Sequence, residues 1–138
     1  MGGGMNQSER VARLENASLE AAANGLKALL LLNGGASIAI FAFLAQALGK
    51  EGVAPEYTVL VRELVRSLGW FAAGAGTAVF ATFFAYYSNQ KYAASLMDPE
   101  KVSWRKGAIL NSAGAVMAVL SLVLFWVGVY RIWAAAGV

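Results

Sequence analysis

Hydrophobic positions gather into three long runs that hold no ionisable side chain apart from tyrosine: residues 28–49, 67–90 and 107–130. A helix rises about 1.5 Å per residue, so about 20 residues cross the ~30 Å hydrocarbon core of a bilayer. Each run reaches that length, and the charged residues stand between the runs. Buried helices of a soluble protein are shorter and carry a polar side. The pattern therefore predicts an all-α polytopic membrane protein with three transmembrane helices.

The flanks carry a different periodicity. Asn6 to Asn24 reads as an Ala-rich amphipathic helix. Asn6 and Glu9 form a capping box, Glu9 and Arg13 an i,i+4 pair, and Val11, Leu14, Ser18 and Ala21 a weak stripe. Such a helix rests on the membrane or docks a partner. Asn16-Ala17-Ser18 matches a glycosylation acceptor, but the topology below puts it on the wrong side. Gly49 is suited to end the first span, Lys50–Ala54 to form a turn, and Pro55 to open the next helix. Tyr57, Leu60, Val61, Leu64, Val65 and Leu68 then share one face, with Glu56, Arg62, Glu63 and Arg66 on the other. That spacing predicts an interfacial helix before span two, lying on the lipid surface or bending into the span. Asp98 and Pro99 supply a cap and first turn ahead of span three. Residues 1–5 read as a flexible start or a cloning remnant before Met5, and 6–138 as a single membrane domain.

Composition agrees with this picture and narrows the chemistry. Charged residues make up 14% of the chain, against about 25% in an ordinary soluble domain. There is no cysteine and no histidine, which removes thiol chemistry and the commonest general base and metal ligand. The net charge of +3 belongs to the loops and suits anionic lipid better than nucleic acid, which calls for a concentrated basic patch. No signal-peptide core precedes the first span, so that span is expected to direct insertion.

Lys and Arg set the orientation. The amino-terminal side and the second loop share a compartment and hold Arg10, Arg13, Lys27, Lys91, Lys101, Arg105 and Lys106. The other side holds Lys50, Arg62, Arg66 and Arg131. This balance predicts an amino terminus in the cytoplasm and a carboxyl terminus in the periplasm. Tyr86, Tyr87, Tyr92 and Trp104 fall at one interface, and Tyr57, Trp70, Trp126, Tyr130 and Trp133 at the other. Amphipathic rings belong at both levels.

Within the spans, two asparagines stand out. Asn33 and Asn111 each lie five or six residues beyond a lysine, Lys27 or Lys106, and are followed by small residues. Spans one and three run parallel, so equal spacing predicts equal depth. Thr82, Tyr86 and Tyr87 of span two reach the same layer from the other direction. A hydrogen-bonded polar layer of Asn33, Asn111 and a hydroxyl from Thr82 or Tyr86 is expected, acting chiefly as glue between helices. Small residues at every fourth position mark a packing face on span two: Gly69, Ala73, Thr77, Ala81 and Ala85, with Gly74, Ala78 and Thr82 beside it. Span three offers Asn111, Gly114, Ala118, Ser121 and Gly128, and span one Gly35, Ala39, Ala42 and Gln46. Faces of this kind let backbones approach closely. Three helices have few mutual contacts to absorb them, so self-association or a partner is expected.

The functional expectation follows. A pump or secondary transporter generally carries an ionisable group or a broken helix at mid-depth, and none stands there. No phosphate-cradling loop, metal cluster or nucleophile–base pair is present, so no cofactor and no catalysis are expected. The leading reading is a non-enzymatic homo-oligomer whose Ser, Thr and Asn side chains line a passive pore or channel. The alternatives are an accessory subunit of a larger membrane complex, or a holin-like permeabilising protein, although the carboxyl tail lacks the charge expected of the last. The stretch Leu26-Lys27-Ala28-Leu29-Leu30-Leu31-Leu32-Asn33-Gly34-Gly35-Ala36 resembles the first span of small uncharacterised three-span inner-membrane proteins of proteobacteria. The resemblance implies a bacterial inner (cytoplasmic) membrane location and brings no site residues.

Overall fold

The structure is a computed structural model that describes residues 7–48, 57–97 and 104–137. These residues build three helices in an up–down–up bundle: α1 (Gln7–Leu48), α2 (Thr58–Met97) and α3 (Trp104–Ala136). Each is long and apolar enough to cross a membrane. The cap at Asn6, the turn from Gly49 to Pro55 and the Asp98–Pro99 start lie outside the described residues, as do the side chains of Val11 and Leu14.

Among the described residues the two flanking helices do not stand as separate elements. The amino-terminal amphipathic helix is continuous with span one, and α1 runs unbroken through Asn33-Gly34-Gly35. Aliphatic residues on both sides sustain the helix there. The interfacial helix is likewise the opening of α2. Most of its apolar face does not lie on lipid. Leu60, Val61, Leu64 and Leu68 pack with Ile40 and Leu44 of α1 and with Val129 and Ile132 of α3, leaving Tyr57 and Val65 exposed. A helical stripe that finds two neighbouring helices buries its apolar surface against them.

The tightest contact is between α2 and α3, and it repeats every seven residues. Buried positions of α3 are Gly107, Gly114, Ser121 and Gly128. On α2, Ser67, Gly74, Ala81 and Ser88 are buried with the same period. The two series run in opposite directions and meet pairwise. Ser67 Oγ donates to the Gly128 carbonyl at 3.1 Å, Ser121 Oγ to that of Gly74 at 2.8 Å, and Ser88 Oγ to that of Gly107 at 2.9 Å. A Cβ on Gly114 would stand 3.3 Å from the Ala81 carbonyl oxygen, so this fourth step is a backbone approach without a hydroxyl. Apolar or small residues every 3.5 positions keep a helix seam facing one partner in a left-handed coil, and small ones allow the backbones to close.

Larger side chains fit where glycine leaves room. Phe71 lies over Gly128, whose added Cβ would sit 2.7 Å from the ring, and Tyr92 lies likewise over Gly107. Phe71 is 1% exposed and tilts against Phe125 at 5.6 Å between centroids. Tyr92 packs at a tilt against Trp104, 4.4 Å between centroids. At the other end, Arg131 reaches from α3 to Glu63 of α2 at 3.0 Å, and Arg66 bonds the second carboxylate oxygen at 2.8 Å.

Candidate functional site

Helix α1 meets the α2–α3 pair through a buried polar contact at Asn33. Asn33 is fully buried, and its Nδ2 donates to the Ser121 hydroxyl at 3.2 Å and to the Leu29 carbonyl at 3.0 Å. Ser121 in turn donates to the Gly74 carbonyl, so one side chain from α1, one from α3 and the backbone of α2 close a three-helix node. The missing side chain of Gly74 makes room for it: a Cβ there would stand 2.6 Å from Asn33 Cγ. Asn33 Oδ1 has no N–H or O–H partner and faces the Gly74 Cα hydrogen instead. Contacts of that sort recur where helices pack closely. Ile40 and Leu44 continue the contact toward the carboxyl end of α1.

This node replaces the expected polar layer. Asn33 meets Ser121, ten residues beyond Asn111 and therefore about 15 Å further along α3, so the two asparagines do not share a depth. The depth of α1 is set by the fit of Asn33 against Gly74, not by its distance from Lys27. Asn111 is exposed. Thr82 donates to the Ala78 carbonyl of its own helix, and the Tyr86 hydroxyl, also exposed, accepts from Gln90. None of the three joins Asn33.

The expected packing face is also redrawn. Ala81 and Gly114 do meet, and Ala85 and Ala118 are half-buried at the edge of the seam. Gly69 and Ala73 face outward, and Thr77 donates to the Ala73 and Gly74 carbonyls of its own helix. A four-residue repeat drifts by about 40° per step around a helix of 3.6 residues per turn, so Gly69 and Ala81 cannot serve one partner. The seven-residue series of serine and glycine on both helices is plain in the sequence, and it is the signal that locates the seam.

Beyond the node α1 opens away. From Leu32 back toward its amino end no described residue of α1 is buried, and only Leu26 and Leu29 are half-buried. A cleft of about 430 Å³ lies on one side of α1, lined by Gly25, Leu29, Ala81, Gly114 and Ala118 among others. A second of about 390 Å³ lies on the other side, lined by Leu26, Lys27, Thr82, Tyr86 and Asn89 among others. Asn111 borders both.

No family model, curated protein or solved structure matches the chain.

Proposed function

We propose that this chain is a non-enzymatic protein of the bacterial inner membrane that assembles with further copies of itself, α2 and α3 serving as its rigid unit. The supporting observation is the outward face of α1. Gly35, Ala39, Ala42 and Gln46 are all exposed, opposite the side that carries Asn33, Ile40 and Leu44, and added Cβ atoms on Gly34 and Gly35 would meet nothing within 4 Å. Close backbone approach is what such a face provides in a bilayer. Assembly is favoured over conduction, because the groups best suited to a neutral path, Asn33, Ser67, Ser88 and Ser121, are taken up by hydrogen bonds between helices inside the protomer. The Lys and Arg balance supports an amino terminus in the cytoplasm and a carboxyl terminus in the periplasm. The absence of histidine and cysteine supports a role without catalysis.

Native mass spectrometry in mild detergent tests the reading. A defined homo-oligomer that Gly35→Leu and Ala39→Leu dissociate is expected. A wild-type protein that is monomeric overturns it, and a monomer recovered with one other membrane protein favours the accessory-subunit reading.

A further inference from the structure

The cleft on the Lys27 side of α1 changes character along its length. Lys27, Tyr86, Asn89 and Asn111 gather toward the amino-terminal side of the bundle. Deeper in, the same groove passes into a second hollow of about 500 Å³ lined by Leu30, Val79, Thr82, Phe83 and Tyr86. Leu30, Thr82 and Tyr86 border both, so a polar mouth and an apolar floor adjoin along one open groove. None of its described lining residues is acidic, and Lys27 has no carboxylate partner among the described residues.

Helical side chains lean toward the helix amino terminus. Lys27 stands six residues before Asn33, about 9 Å toward the mouth, and lines the same hollow as Tyr86 and Asn89. Long cationic side chains near a membrane surface extend toward the water. The Tyr86 hydroxyl accepts from Gln90 at 2.6 Å and keeps its own proton to donate, and the Asn89 amide is exposed. A cation and two neutral donors above an aliphatic and aromatic trough match one chemistry: a phosphate headgroup above an acyl chain.

We infer that this groove binds an anionic phospholipid of the leaflet on the amino-terminal side, its phosphate held by Lys27, Tyr86 and Asn89 and one acyl chain seated along Leu30, Val79 and Phe83. The inference rests on the three helices crossing a bilayer and does not depend on self-association. The groove lies where α1 separates from α2, so an acyl chain fills space that the protein's own side chains leave open.

The test is native mass spectrometry of the full chain from detergent supplemented with phosphatidylglycerol or, separately, phosphatidylcholine of the same chain length. One retained phosphatidylglycerol per chain is expected, about tenfold favoured over phosphatidylcholine, which corresponds to about 1.4 kcal/mol. Lys27→Gln should reduce retention to the phosphatidylcholine level, whereas Arg62→Gln, exposed at the far end of α2, should leave it unchanged. Val79→Trp should reduce retention of both lipids by filling the trough. Lys27 and Val79 are both exposed, so helix content by circular dichroism should match wild type. Equal retention of the two lipids, or full retention in Lys27→Gln, overturns the site.

Discussion

The two halves of this bundle are held by different means. Between α2 and α3 the contact is a ladder: Ser67 with Gly128, Gly74 with Ser121, Ala81 with Gly114 and Ser88 with Gly107. The four rungs share one seven-residue register, three with a serine hydroxyl and one as a bare backbone approach, so a slip of the register breaks all of them together. Helix α1 instead rests on one node at Asn33 and one apolar cluster around Ile40 and Leu44. In hydrocarbon no hydrophobic force drives helices together, and association depends on van der Waals packing and interhelical hydrogen bonds. A seam with repeated close backbone contact is therefore the rigid part, and a helix held by one node and one apolar cluster, with its amino-terminal half unburied, is the part more easily opened.

Breaking the ladder should cost most. Gly114→Leu drives a branched side chain into the backbone of Ala81 and the Phe84 Cβ 3.4 Å away, neither of which can yield. A destabilisation of about 3 kcal/mol is expected, in the range of overpacked cores. Unfolding in mixed micelles measures it, and α2 should separate from α3 as well as from α1.

Breaking the node should separate the two halves. Gly74→Val displaces the Asn33 amide from its seat while Ser67, Ser88 and their glycine partners stay joined, so α1 should open with the α2–α3 pair intact. Spin labels at Asn24→Cys and Ser112→Cys, on a chain without native thiols, should show a longer and broader distance distribution. Asn33→Ala should do the same more weakly, since one interhelical hydrogen bond in a membrane contributes about 0.6–2 kcal/mol. An unchanged distribution in both would mean that α1 is held by contacts other than this node.

The smallest effect is expected at the far end. Glu63 joins Arg131 and Arg66 beside the last turns of α3, but ion pairs whose arginines reach solvent stabilise little. Glu63→Gln should raise amide exchange near Arg131 and leave the rest of the seam protected. Faster exchange as far as Gly114 would show that the ladder depends on its terminal ion pair.

Much of the fold was legible in the sequence because span length and the placement of charge are properties of the chain itself. The three runs at 28–49, 67–90 and 107–130 correspond to the three helices, only Gly49 lying outside the described residues. The continuity of α1 through Asn33-Gly34-Gly35 could also be read from its aliphatic neighbours. Helix register was harder to read. Asn33 and Asn111 have matching sequence surroundings, yet their depths differ because Gly74 receives one of them and nothing comparable receives the other. Likewise Gly69 and Ala73 look as suitable for packing as Gly74 does. Only the seven-residue spacing shared by two helices separates the residues that meet from those that face away. The open cleft beside α1 lay beyond sequence reasoning, since its shape depends on where one long helix leaves another.

Cross-linking on the thiol-free chain tests the ladder most directly. Glu63→Cys paired with Arg131→Cys, and Tyr92→Cys paired with Trp104→Cys, should each join rapidly through a short bifunctional thiol reagent in native membranes. Glu63→Cys paired with Leu124→Cys lies one heptad, about 10 Å, out of register and should join slowly. Equal rates for the in-register and out-of-register pairs would contradict the serine–glycine seam.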